Sequence, residues 1–152
     1  VVTADGLVGL VVDVGATYAR VLMISDINAQ IPVILSSSSW PGVTVGNNGT
    51  FLSLRFLPEE AAPKVGELVL TSGHGGVLPA GVPVGRVDLV RDDFVRVRPA
   101  VDLRHLRYVS ILVGGTEGID LDNLALEDYY TPLPDTEGTR LFKGVNAAGE
   151  RQ

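Results

Sequence analysis

Short apolar segments separated by turn-forming residues run from residue 7 to residue 113, and this pattern constrains the fold more than any other feature. Each segment has the length and the Val, Ile, Leu or aromatic content of a β-strand. None has the 3.6-residue period of a long amphipathic helix. The predicted strands are Leu7–Val14, Tyr18–Ile24, Ile31–Leu35, Val43–Val45, Phe51–Leu57, Glu67–Thr71, Val82–Val90, Phe94–Arg98 and Tyr108–Val113.

The composition favours the same all-β class. Hydrophobic residues make up 45% of the chain, and 18 glycines are available for turns. β-Branched residues favour strands over helices. Short strands leave unpaired edges unless the sheet closes on itself, so we predict two small β-barrels in tandem.

A proline-bounded, charged connector with the sequence PEEAAPK predicts a domain boundary. We therefore expect one small barrel at residues 6–57, a linker at 58–63 and a second barrel at 64–113. Residues 1–5 are expected to be the end of a strand that begins upstream.

The charges are unevenly distributed along the chain. Residues 1–113 contain 9 of the 12 Lys+Arg and 10 of the 18 Asp+Glu, which leaves 3 and 8 for residues 114–152. The first part is nearly neutral, so the sequence does not predict a nucleic-acid-binding surface. Residues 114–152 contain few large apolar residues and are expected to form an acidic, largely disordered tail.

Alternation of residue types predicts which strand faces are buried. In the segment Phe51–Leu57, the side chains of Leu52, Leu54 and Phe56 are expected on one face. The segment Leu7–Val14 is apolar on both faces. A small barrel buries only one face of each strand, so another domain or chain is expected to cover the other face. This pattern indicates assembly rather than catalysis.

The glycine-rich stretch TSGHGGVLPAGVPVG at residues 71–85 resembles a ligand-binding loop only superficially. A phosphate loop needs Gly-Lys-Ser/Thr at the start of a helix, and a dinucleotide fingerprint also needs a helix after its glycines. Here prolines and another strand follow. We predict a structural turn motif made of Gly73, Gly75, Gly76, Pro79, Gly81, Pro83 and Gly85.

Catalytic and metal sites have little support in the sequence. The absence of cysteine excludes thiolate ligands and a cysteine nucleophile. His74 and His105 lack the spacing of a metal site. The serine-hydrolase motifs Gly-x-Ser-x-Gly and Gly-Asp-Ser-Gly are absent, and Ser110 lies in an apolar segment. We expect no catalytic residue, cofactor or metal.

Two surface features are candidates for binding. Six arginines form a basic cluster, which is either a solvated, ion-paired face or a surface that binds the acidic tail or another anionic surface. These arginines are Arg86, Arg91, Arg96, Arg98, Arg104 and Arg107. The apolar residues expected to bind partners are Val11, Tyr18, Trp40, Phe51 and Phe94.

Several stretches resemble the rod shape-determining family MreC. They include GLVGLVVDVGATYARVLMISD at residues 6–26, KVGELVLTSGHGGVLPAGVPVGRV at 64–87 and VRVRPAVDLRHLRYVSILV at 95–113. The motif V-G-[DE]-L-V-x-T-S-G-x-G-G-x-x-P-x-G-x-P-V-G fits residues 65–85 in full register. The resemblance does not extend into residues 114–152.

The resemblance implies a non-enzymatic periplasmic scaffold for cell-wall elongation, tethered to the bacterial inner membrane by a segment absent from this chain. It implies self-association into a dimer or filament, and contacts with MreD, MreB, RodZ and a PBP2-type transpeptidase that the scaffold recruits or activates. It also implies that strands upstream of this chain complete the barrel at residues 64–113.

The sequence leaves two other functions open. A chymotrypsin-like hydrolase is also built from a pair of barrels. A peptidoglycan-binding module would use aromatic side chains such as Trp40 and Tyr18, although one Trp and four Tyr make a thin aromatic platform.

Overall fold

The computed structural model describes residues 1–113, which contain ten β-strands and no helix. The predicted all-β class, without a long helix, is confirmed for these residues. Within them, no helix is long and apolar enough to cross a membrane. The tail predicted at residues 114–152 lies outside the described residues. The strands are β1 (Val2–Thr3), β2 (Gly6–Leu7), β3 (Gly9–Val14), β4 (Ala19–Met23), β5 (Gln30–Leu35), β6 (Pro41–Val45), β7 (Leu52–Arg55), β8 (Leu68–Thr71), β9 (Pro83–Val90) and β10 (Val95–Pro99).

Six of these strands form a closed barrel in the order β10-β7-β6-β5-β8-β9. All pairs are antiparallel. β5, β6 and β7 form one meander, and β8, β9 and β10 form another. The two meanders join through the β5–β8 and β7–β10 pairs, which leaves no strand edge of the barrel unpaired.

Alternating apolar residues fill the barrel interior, as the period of two in a half-buried strand requires. Ile31, Val33 and Leu35 of β5 are at most 1% exposed, and Leu52 and Leu54 of β7 are also buried. Buried valines from β8, β9 and β10 complete the same cluster. The barrel therefore has one continuous core.

The predicted division into a barrel at residues 6–57 and another at 64–113 is wrong. Strands from both sides of residues 58–63 lie in the same closed barrel, and that segment is a loop between β7 and β8. The strands that complete β8, β9 and β10 come from residues 30–55 of this chain, not from an upstream segment. Neither three-stranded meander can close alone, because its two outer edges remain unpaired.

Outside the barrel, β3 and β4 pair in a two-stranded ribbon with a bulge at Val12. Val11, on β3, packs against a small second cluster that contains Val8 and Val101. Residues 1–5, expected to be the end of a strand, contain the short strand β1, which pairs with β2. Outside the six-stranded barrel, the described residues contain these two short sheets and no second closed barrel.

Two further details differ from the sequence prediction. Tyr108–Val113 is not a strand, and only Ser110 makes an isolated bridge, to Val2. Phe56, expected on the same face as Leu52 and Leu54, is 76% exposed and has a φ of 58°. This left-handed backbone breaks the alternation that buries Leu52 and Leu54.

Candidate functional site

The glycine-rich loop joins β8 to β9 at one end of the barrel. Four of its glycines have left-handed φ angles: 74° at Gly73, 80° at Gly75, 68° at Gly76 and 90° at Gly81. Other residues adopt this conformation only at a cost. Gly85 is required for another reason, since a Cβ there would lie 2.2 Å from the Arg98 carbonyl oxygen.

Hydrogen bonds from Thr71 close the same loop. Its hydroxyl donates to the Pro79 carbonyl at 2.6 Å and accepts from the Val82 amide at 2.9 Å. The Gly81 amide donates to the Thr71 carbonyl at 2.9 Å. Pro83 begins β9, the strand into which the loop leads. These contacts hold the backbone of the loop in a turn.

A buried carboxylate, Glu67, ties the turn after β5 to the barrel. Glu67 is 7% exposed, and its Oε1 accepts hydrogen bonds from the hydroxyls and amides of Ser37 and Ser38. Its Oε2 accepts a bond from the Lys64 amide. Burial alone would raise the pKa of Glu67, but the bonds from Ser37, Lys64 and Ser38 outweigh burial and lower the pKa to about 2.

Arg96 and Arg98 lie over the ring of Phe51 on the outer surface of the barrel. The guanidinium of Arg96 lies 4.2 Å from the centroid of the Phe51 ring, and that of Arg98 lies 5.6 Å away. Asp88 pairs with both arginines, through Oδ2 to Arg96 and through Oδ1 to Arg98 at 2.9 Å. The hydrogen bonds from Arg96 and Arg98 lower the pKa of Asp88.

The structure does not bring the five predicted partner-binding residues together. Tyr18 is 59% exposed beside the turn of the ribbon. Val11 and Trp40 are only partly exposed, because each packs against a hydrophobic cluster. Phe51 lies under the arginines, and Phe94, at the turn between β9 and β10, is 39% exposed.

Sequence reasoning missed Phe56 as a surface residue. It lines an open groove of about 810 Å³ together with Leu57, Pro58, Val90 and Phe94. The left-handed φ of Phe56 turns its side chain to the exterior at this end of the barrel. Strict alternation ends at Phe56, and the following Leu57-Pro58 pair is a weak signal of an irregular backbone.

The geometry of a hydrolase is not present in the described residues. The His74 amide donates to the Ser72 hydroxyl, but no hydroxyl bonds to an imidazole nitrogen of His74 or His105. His105 pairs with Asp102 at 2.9 Å in an exposed position, and its bond is the main reason that the pKa of Asp102 is lowered. Within residues 1–113, no cluster of three His, Asp or Glu forms a metal site.

Comparison with known proteins matches the all-β barrel to one family. The family model described as "Rod shape-determining protein MreC, barrel core" matches residues 1–113. The chain belongs to the MreC family. Members of the MreC family determine cell shape and are not enzymes, so this chain is not an enzyme.

Individual MreC proteins agree with this assignment. The cell shape-determining protein MreC of Cereibacter sphaeroides is 37% identical over 107 residues, which cover 70% of this chain and 36% of that protein. The crystal structure of MreC from Pseudomonas aeruginosa matches with a TM-score of 0.65 and 34% identity, over 70% of this chain and 74% of that one. This chain thus spans about a third of the length of its full-length relatives.

A more distant structure of MreC was solved with a partner. It is a complex between penicillin-binding protein PBP2 and MreC from Helicobacter pylori, with a TM-score of 0.50 and 22% identity. The likeness covers 60% of this chain and 59% of that one. At this identity, the match shows a shared fold.

Proposed function

We propose that this chain is the barrel part of a periplasmic scaffold for bacterial cell-wall elongation. The scaffold self-associates as a dimer or filament, and it recruits or activates a PBP2-type transpeptidase. A segment outside this chain tethers it to the inner membrane. MreD, MreB and RodZ are the further partners that the family resemblance implies.

The main support is that the MreC barrel-core model matches every described residue, from 1 to 113. The Helicobacter pylori protein, which shares the fold, was solved in complex with PBP2. The absence of a catalytic constellation in the described residues is consistent with a protein that acts by binding.

The ribbon offers the surface best suited to such contacts. Val12, Val14 and Tyr18 are 53%, 71% and 59% exposed. Within residues 1–113, β3 and β4 form a two-stranded sheet of their own, and apart from the bonds between Gly9 and Val1 each presents an edge that no other strand pairs with. Exposed apolar side chains beside free strand edges favour association through strand addition and side-chain burial.

The test measures self-association by analytical ultracentrifugation and binding to an immobilised PBP2-type transpeptidase domain. We expect Val14→Asp to weaken at least one of the two by about tenfold, because the substitution places a charge in a buried contact. The matched control is Val77→Asp. Val77 is 74% exposed in the glycine-rich loop, away from the ribbon.

A chain that remains monomeric and binds no transpeptidase at micromolar concentration contradicts the proposal. Equal loss in the Val14→Asp and Val77→Asp variants contradicts the assignment to the ribbon but leaves the scaffold role in place. Circular dichroism of both variants shows whether the barrel is still folded.

The two alternatives are less well supported. A peptidoglycan-binding module needs a shared aromatic platform, whereas Trp40 packs against the barrel core and Tyr18 lies beside the ribbon turn. Sedimentation with purified sacculi tests that function directly. The hydrolase is excluded by the family.

A further inference from the structure

The outer surface of β7, β9 and β10 carries an excess of positive charge. These strands contain four arginines and one aspartate, which gives a net charge of +3 (4 − 1). We call this surface the arginine face. It consists of Arg55, Arg86, Arg96, Arg98 and Asp88.

The strand register places like charges next to each other on this face. Arg98 of β10 lies directly opposite Arg86 of β9. Like charges opposite each other across a strand pair are destabilising. Asp88 pairs with Arg96 and Arg98, whereas within residues 1–113 the guanidinium of Arg86 bonds to the Gly66 carbonyl, at 3.1 Å, and to no carboxylate. An anionic ligand would relieve this repulsion.

The face is also ordered in advance for a ligand. The Phe51 ring lies against Arg96 and Arg98, and Asp88 forms hydrogen-bonded ion pairs with both guanidinium groups. Arg55 forms no ion pair within the described residues. Asp92 and Asp93, in the turn after β9, form no ion pair with these arginines either. Fixed guanidinium groups lose little entropy when they bind a carboxylate.

The same chain contains a ligand of the opposite charge. Residues 117–137 hold seven acidic residues and no lysine or arginine. Tyr129 and Tyr130 lie within this stretch and can stack on guanidinium groups. The acidic residues are Glu117, Asp120, Asp122, Glu127, Asp128, Asp135 and Glu137.

Ser110, near the end of the described residues, lies close enough to the arginine face for the acidic stretch to reach it. Ser110 bridges to Val2 of β1, which pairs with β2. Gly6 of β2 lies against β9, where an added Cβ would sit 2.4 Å from the Pro83 carbonyl oxygen. Arg86 is three residues further along β9. At about 3.3 Å per residue and 5 Å per strand crossing, Ser110 lies within about 25 Å of Arg86.

The length of chain beyond Ser110 is ample for that distance. Residues 111–116 span up to about 20 Å when extended, and residues 117–137 span up to about 70 Å. A tether of this kind gives the acidic stretch an effective concentration of about 1 mM at the face. Weak ion pairs are then sufficient to hold it there.

We propose that residues 117–137 of this chain bind back onto the arginine face of its own barrel. The contact neutralises Arg86 and Arg98 and covers the face. An external anionic ligand, such as an acidic protein segment or anionic lipid, must displace residues 117–137 before it can bind the face.

The experiment uses the full 152-residue chain. Because the chain has no cysteine, Ala125→Cys provides a unique site for a nitroxide spin label. We expect the amide NMR peaks of β7, β9 and β10 around Arg55, Arg86 and Arg98 to lose about half their intensity or more, because a contact with a Kd of about 1 mM or lower is at least half occupied at an effective concentration of about 1 mM. Raising NaCl from about 0.1 M to 1 M shortens the Debye length from about 10 Å to 3 Å and should restore the peaks.

Charge removal on either partner should have the same effect as salt. The double variant Arg86→Gln/Arg98→Gln should restore the peaks. The variant Asp120→Asn/Asp122→Asn/Glu127→Gln/Asp128→Asn, which leaves the barrel sequence intact, should restore them as well. The matched control Arg20→Gln/Arg91→Gln removes two arginines outside the face and should keep the peaks broadened.

Three results would overturn the proposal. One is broadening that is absent or spread evenly over the barrel. Another is broadening that persists in the Arg86→Gln/Arg98→Gln variant. The third is broadening that also appears in a mixture of two kinds of chain, one with the nitroxide but no isotope label and one with the isotope label but no nitroxide. The contact would then lie between copies of the chain.

Discussion

Each barrel strand has a hydrogen-bonded neighbouring strand on both sides, whereas among the strands of residues 1–113 β3 and β4 of the ribbon pair only with each other. The barrel interior is filled by side chains that are almost fully buried, and the ribbon leaves Val12 and Val14 more than half exposed. Both regions are rich in valine and leucine. The difference shows that apolar content alone does not decide whether a strand contributes to a core or to a contact surface. Closure of the sheet decides it.

The largest effect should come from the barrel core. Leu35→Ala removes a side chain that is 0% exposed. We expect the free energy of unfolding to fall by about 3 kcal/mol, from lost burial and the cavity left behind. Denaturant titration measures it. Val14→Ala on the ribbon serves as the control, with an expected change below about 0.5 kcal/mol. Equal losses would mean that the ribbon is buried in the folded chain.

The next effect concerns Glu67. The pKa of Glu67 in the folded chain, about 2, lies below the ordinary value of 4.5. The contribution of Glu67 to the free energy of unfolding is therefore complete above about pH 4.5 and is lost as the pH falls towards 2. We expect Glu67→Gln to lower the free energy of unfolding by about 2 to 3 kcal/mol at neutral pH. The difference from the unmodified chain should shrink below pH 4.5. Glu59→Gln, on the exposed connector, should leave the curve unchanged.

Smaller losses of stability are expected when alanine replaces Gly85, in β9, or Gly75, in the loop before β9. Gly85→Ala should cost about 2 kcal/mol, because the new Cβ would lie 2.2 Å from the Arg98 carbonyl oxygen and force β9 away from β10. Gly75→Ala meets no atom within 4 Å but keeps a φ of 80°, so we expect a cost of about 1 kcal/mol. Thermal denaturation of the two variants compares them. The reverse order would show that backbone conformation matters more than strand packing.

The smallest effect on stability should come from the ribbon surface. Val12→Thr/Val14→Thr keeps the β-branched shape and should change the free energy of unfolding by less than about 0.5 kcal/mol. The same variant should weaken self-association, if the ribbon is the contact surface. A loss above about 1.5 kcal/mol would place these side chains inside the fold.

The sequence was a good guide where the structure depends on neighbouring residues. Alternation placed Leu52 and Leu54 inside, and the positions of most strands follow from runs of β-branched residues between turns. It failed at Phe56, which was expected to share a face with Leu52 and Leu54 but has a left-handed backbone angle and is exposed. The sequence also provided no sign that Trp40 packs against the barrel core, because that packing depends on residues distant in sequence.

The boundary at residues 58–63 was misplaced for a similar reason. Prolines and charges occur in loops as well as in domain linkers, and each meander has the strand pattern expected of a separate sheet. The β5–β8 and β7–β10 pairs join residues far apart in the chain. Local pattern carries no information about such pairs. The candidate binding residues were scattered because surface proximity has the same non-local origin.

The arrangement of two meanders has a consequence for the order of events in folding. Each meander is made of neighbouring strands and can form early, but the barrel exists only after the β5–β8 and β7–β10 edges meet. The search for that second pairing should therefore limit the folding rate. Because the entropy of closing a loop rises only slowly with its length, extra residues inserted at 58–63 should slow the search little. A chain cut within that segment would instead have to find its other half by diffusion.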